Sequence, residues 1–128
     1  MNRTPFVTPY VRFEIIDNIL YVTYLPDAVI TLDIAKEIIK QRLEYTNHIP
    51  YALLITYEGL RAFDKESRDY SAKEGVEGVL GAALLTNSVY TEFFGNFFLR
   101  LTQTSISSKL FTDKQKALKW LEQFKHKF

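Results

Sequence analysis

Two short, uninterrupted apolar runs, Tyr51 to Thr56 (YALLIT) and Val79 to Leu85 (VLGAALL), constrain the fold of this chain more than anything else in it. A strand with one wet face alternates apolar and polar residues. A strand that is apolar throughout is covered on both faces, as in the interior of a helix-covered sheet. The first run is entered from Pro50. The second is surrounded by Gly75, Gly78 and Gly81 and built on small residues that suit close coverage by helices. Between the runs, Asp64 to about Gly75 reads as a nearly all-polar helix, with Asp69/Lys73 and Lys73/Glu77 at i,i+4 spacing and only Tyr70, Ala72 and Val76 to bury.

The flanking segments extend the alternation of strand and helix. Residues 1–10 form an arm punctuated by Pro5 and Pro9. Val11 to Ile16 and Ile19 to Tyr24 are β-rich runs around Asp17-Asn18, a pair that tolerates a tight turn, so they read as a hairpin. Pro26-Asp27 breaks the second strand, and Thr31 caps a helix from about Leu32 to Tyr45 with Asp33 in its positive first turn. Its main apolar stripe is Leu32, Ala35, Ile39 and Leu43, with a second of Ile34, Ile38 and Tyr45. Ser88 caps a helix over about Val89 to Leu101, and the polar stretch from Thr102 to Ser108 breaks it. Lys109 to Phe111 is a short strand. Thr112 and Gln115 have capping-box spacing before a last helix with Ala117, Leu118, Leu121 and Phe124 at helical period and Trp120 beside them. The order ββαβαβαβα predicts one α/β domain over residues 1–128, a mixed sheet covered by about four helices.

Composition narrows the function. The chain of 128 residues has no cysteine, which removes thiolate nucleophiles, Cys-type zinc sites and disulfides and fits a reducing compartment. With 16 basic and 15 acidic side chains evenly mixed, nothing in the charge balance points to nucleic acid. No stretch reaches the roughly 20 apolar residues of a membrane span, and the N-terminus lacks the apolar core of a signal peptide, so a cytoplasmic location is expected.

Catalytic chemistry needs a base beside a nucleophile, paired carboxylates in a pocket, or several metal ligands. His48 and His126 have no metal-spaced partners, and the three glycines precede a strand, whereas a phosphate cradle needs them between a strand and a helix. No metal, cofactor or enzyme activity is therefore expected, unless Tyr57, Glu58 and Asp64 converge in a closed pocket. Ligands of α/β sheets sit beyond the carboxyl ends of parallel strands, which singles out Tyr57, Glu58 and Arg61 after the first run and Asn87 and Ser88 after the second. Helices open at Asp64 and Ser88, so an anionic group there has free N–H groups, with Arg61 or Arg68 to assist. The alternative is that Asp64 and Ser88 are plain caps and the arginines are solvated or paired.

The segment from Ser88 to Leu101 (SVYTEFFGNFFLRL) is unusual. At about 100° per residue its apolar side chains cover about half the helix circumference, more than a helix on one sheet face needs. With Val89, Phe93 and Phe97 facing the core, Tyr90, Phe94 and Phe98 remain as candidate interface residues. They can meet a second subunit, an apolar ligand, or the second stripe of the first helix.

The residues placed above resemble the STAS-like, SpoIIAA-like family of anti-sigma-factor antagonists and their relatives. The resemblance covers nearly the whole chain. It is carried by the hairpin start, by YALLITYEGLRAFDKES as strand, loop and helix, and by VLGAALLT leading into a helix. The last carrier is KLFTDKQKALKWLEQF, which is similar to the short strand, Phe-Thr-Asp cap and Ala-Leu-x-x-Leu helix of bacterial SpoIIAA-like proteins of unknown function. In the antagonists a loop ending in an Asp-Ser-Ser/Thr-Gly-like motif carries a phosphorylated hydroxyl at a helix N-terminus. Here the stretch is Phe63-Asp64-Lys65-Glu66-Ser67, which lacks the glycine and brings the hydroxyl about three residues late, between Glu66 and Asp69. The phospho-switch is not carried over. The resemblance implies a non-enzymatic interaction or regulatory module, and the oversized apolar arc of the aromatic segment leads to the expectation of a homodimer through it. The alternative is a carrier or sensor of a small apolar or anionic ligand such as a lipid or nucleotide, by analogy with relatives similar to CRAL-TRIO domains.

Overall fold

The hairpin turn sets the pattern of the sheet. Asp17 and Asn18 both adopt left-handed backbone angles (φ 52° and 61°), the geometry whose twist matches paired strands. In the computed structural model, which describes residues 3–57, 60–86, 100–101 and 103–125, the elements in chain order begin with strands β1 (Arg3–Val7), β2 (Val11–Ile16), β3 (Ile19–Tyr24) and β4 (Val29–Ile30). Helix α1 (Leu32–Tyr45), strands β5 (Tyr51–Tyr57) and β6 (Ala62–Phe63), helix α2 (Lys65–Lys73) and a 3₁₀ turn (Glu74–Val76) follow. The described residues end with strands β7 (Val79–Leu85) and β8 (Ser108–Phe111), helix α3 (Lys114–Leu121) and a second 3₁₀ turn (Glu122–Phe124).

Six strands form one mixed sheet in the order β1-β2-β3-β5-β7-β8, antiparallel over the first two pairings and parallel thereafter, and β4 and β6 form a separate parallel pair. Both continuous apolar runs are interior strands, as their sequence requires. On one face, Phe13, Ile15, Leu20, Val22, Leu53 and Leu84 pack under α1 and α2, with Leu101 in the same cluster. On the other, Ile19, Ala52, Leu54 and Ala83 meet Ala117 and Leu121 of α3. α3 rests on β5, β7 and β8. Its seat depends on Gly81, where an added Cβ would stand 2.7 Å from the ring of Phe124.

Several expectations are corrected. The arm is not an arm from Arg3 onward: β1 pairs with β2 at the sheet edge, where the missing N–H of Pro5 is tolerated, and Phe6 stacks on Phe13 at 6.3 Å between ring centroids. A register shift between Arg3 and Phe6 accommodates it. The last helix is capped by Asp113 and not by Thr112: the Asp113 carboxylate accepts from the N–H groups of Gln115 and Lys116 at 2.8 and 3.2 Å. The buried face of α1 runs between the two predicted stripes, through Ala35, Ile38, Ile39 and Arg42, leaving Leu32 and Leu43 half-buried. On α2 the buried residues are Ser67, Ser71 and Ala72. Three α-helices are found among the described residues, and the helix expected over Val89 to Leu101 lies outside them except for Arg100 and Leu101.

Candidate functional site

Of the residues singled out beyond the strand ends, the described ones, Tyr57, Arg61, Asp64 and Arg68, take separate positions. Tyr57 is 2% exposed, its ring stacked on that of Tyr24 at 4.6 Å and 2° from parallel, so it faces the interior beneath α1. Arg61 is exposed and its backbone N–H donates to the Ala28 carbonyl at 2.9 Å, which ties the β5–β6 loop to the segment before β4. Arg68 donates to the Phe63 carbonyl at 2.6 Å and stays on its own helix start. Asp64 is a helix cap: its carboxylate accepts from the Ser67 N–H at 2.8 Å. The Ser67 hydroxyl, 0% exposed, lies 2.5 Å from Asp64 Oδ1 and 3.1 Å from the Ile30 carbonyl, and its single proton serves both acceptors. These bonds to Ser67, first from its side chain and then from its backbone, hold the Asp64 carboxyl below its ordinary pKa. A phosphoryl group at Ser67 has no room without opening the start of α2. The other candidates, Glu58, Asn87, Ser88, Tyr90, Phe94 and Phe98, lie outside the described residues.

Two other features carry more of the chemistry. The first lies in the core. A cavity of about 40 Å³ beneath α1 and α2 is lined by Tyr24, Tyr57, Arg42 and Ser71 among apolar neighbours. Space of that size holds about two or three waters. The Arg42 guanidinium, 7% exposed, donates to the Gly75 carbonyl at 3.0 Å and the Glu77 carbonyl at 2.6 Å, so α1 is bolted to the connection between α2 and β7. Burial lowers the Arg42 pKa and raises that of Tyr24 to about 12, and each group opposes the other's shift. Sequence reasoning missed Arg42. Its one signal was position, three and four residues beyond Ile39 and Ile38 on the apolar side of the helix.

The second feature is open. Because α3 lies mainly over β5, β7 and β8 and reaches β3 only at Ile19 and Tyr21, no described helix rests on β1, β2 or the rest of β3 on the same face. There the register lines up Arg12, Thr23, Thr56 and Leu85 across four neighbouring strands, with Glu14 beside Tyr21 one row away. The groove between β2 and the start of α3 has a volume of about 250 Å³. Its polar groups are the Arg12–Glu14 ion pair at 3.1 Å, the hydroxyls of Tyr21, Thr23 and Thr56, and the Lys114 ammonium, 5.4 Å from the Tyr21 ring centroid. Leu54 and Leu85 supply apolar floor. These groups offer hydrogen bonds, a cation and apolar surface side by side. Among the described residues no cluster of metal-ligating side chains occurs, and no helix is long and apolar enough to cross a membrane.

Fold and face together define an α/β domain with one sheet face covered by helices and, among the described residues, half of the other free of a covering helix. Residues 13–125 match the profile of DUF7793, a domain of unknown function, and the chain belongs to that family. No curated protein and no solved structure matches it.

Proposed function

We propose that this domain is a non-enzymatic interaction or regulatory module of STAS-like type that works by presenting surfaces to other proteins, and that it self-associates as a homodimer. The observation that carries the reading is the open half-face of the sheet. Three strands at about 4.8 Å spacing leave a strip roughly 14 Å wide, floored by Arg12, Glu14, Tyr21 and Thr23, with Thr56 at its border with α3. By contrast, the cavity beneath α1 and α2 is far below the several hundred Å³ of a typical ligand pocket. The consecutive parallel order β3-β5-β7-β8 after an antiparallel hairpin supports the STAS-like assignment. Self-association rests on the aromatic arc of Tyr90, Phe94 and Phe98 in the sequence.

Site-specific photocrosslinking in the native host tests the interaction face. A photoreactive side chain at Thr56 is expected to give discrete protein adducts that the same probe at exposed Lys40 of α1 does not give. Identical adduct patterns at both positions, or none at Thr56, would contradict the reading. Sedimentation at high micromolar concentration tests the homodimer, and a strictly monomeric profile removes that part.

A further inference from the structure

We infer that the open half-face receives an amphipathic helix of a partner protein, with acidic residues on the flank that meets α3. The inference rests on the interaction-face reading above and adds the class of partner. Width selects the element. A helix is about 10–12 Å across with its side chains, so one helix fills the strip of roughly 14 Å over β1 to β3 and completes the layer that α3 begins.

Charge selects the flank. The acids on this side of the sheet are engaged: Glu14 with Arg12 at 3.1 Å, and Asp17 and Glu122 with Lys125 at 2.9 and 3.2 Å. Asp113 is engaged as well, because it caps α3. Lys114 has no carboxylate within ion-pair distance among the described residues. It also stands in the first turn of α3, which contains no acid, so it adds to the positive end of the helix where a negative charge would stabilise. The groove thus presents Arg12 and Lys114 against the single acid Glu14. A second copy would bring like charge onto like charge, and a continuous phosphate track would meet Glu14 in its path. An acidic flank on an otherwise apolar helix satisfies Lys114 and covers the half-buried Ile16 and Tyr21 of the groove.

The test is a titration of the methyl-labelled full chain, followed by NMR, with stapled helical peptides. A peptide of about 14 residues spans roughly 21 Å, the length of the six-residue strands β2 and β3. One peptide carries Leu at i, i+3, i+4 and i+7 flanked by Glu; a second keeps the leucines and carries Lys; an oligothymidylate of equal charge to the first is the third probe. The acidic peptide is expected to shift the methyls of Thr23, Thr56 and Leu85 and to bind about tenfold more tightly than the basic one. That preference is expected to vanish in Lys114→Glu, whose side chain is exposed and outside the core. Equal binding of both peptides, or tighter binding of the basic one, would overturn the acidic class while leaving the interaction face in place. If neither peptide reaches these methyls, both the partner class and the face are wrong. Displacement of the acidic peptide by the oligothymidylate would assign the face to nucleic acid and overturn the inference.

Discussion

Tyr24 and Tyr57 are register partners at the ends of adjacent parallel strands, and their rings lie 4.6 Å apart and 2° from parallel beneath α1. The stack closes the core at the carboxyl edge of the sheet and turns both phenols toward the space that Arg42 shares. Burial disfavours the phenolates, raising the Tyr24 pKa from 10.0 to about 12 and that of Tyr57 well above 10.0. In the unfolded chain each tyrosine ionises near its ordinary value, so above that pH the folded state holds more protons and stability falls as pH rises. The stabilisation from Tyr24 is complete below about pH 10 and lost by about pH 12, an effect of up to about 3 kcal/mol. Urea midpoints on either side of pH 10 are expected to fall less steeply in Tyr24→Phe than in the native chain.

Arg42 is expected to be the polar residue whose loss costs most. Arg42→Leu leaves the Gly75 and Glu77 carbonyls without their donor, at about 1–3 kcal/mol for the buried Gly75 carbonyl and less for that of the exposed Glu77. Arg42→Lys supplies an ammonium but not the two-pronged geometry and is expected to fall between. Calorimetric melting of the three proteins checks the order native, Lys, Leu.

The seat of α3 is a steric question. Gly81→Ala places a methyl 2.7 Å from the Phe124 ring, an overpacking expected to cost about 1–3 kcal/mol. In a Phe124→Ala background the same change meets open space and is expected to cost little. A double-mutant cycle by denaturant unfolding reads the coupling directly.

Asp64 should behave as a cap and not as a catalytic acid. Asp64→Ala is expected to cost about 1 kcal/mol, and Asp64→Asn much less at neutral pH because the amide oxygen accepts the same bonds. The carboxyl is held below its ordinary 3.8, so its contribution is present above that value and lost as pH falls through the folded-state pKa. Acid titration of stability is therefore expected to be flatter in Asp64→Asn.

Much of this architecture is legible in local chemistry. Thr31 and Asp33 mark the start of α1, Asp17-Asn18 the hairpin, and the continuous run VLGAALL an interior strand, because caps, turns and two-sided burial each leave their mark within a few residues. What depends on distant partners is not legible. Arg42 reads as a surface cation because the carbonyls that hold it are 33 and 35 residues away. β1 is hidden by Pro5, which forbids an interior strand but not an edge. The two-residue pairing of β4 with β6 is too short for any periodicity. The open face was not foreseen either, since Thr23 and Thr56 are ordinary strand residues until the placement of α3 shows that nothing described lies over them.

The most direct measurement is solvent paramagnetic relaxation on the isolated, methyl-labelled chain. With the half-face bare, the methyls of Thr23 and Thr56 are predicted to relax strongly with a soluble gadolinium probe, while Val22, Leu53 and Ile55, which are buried under α1 and α2, stay protected. Protection of Thr23 and Thr56 equal to that of Leu53 in the monomer would mean that the chain covers this face itself, and the account of an open recognition surface would be contradicted.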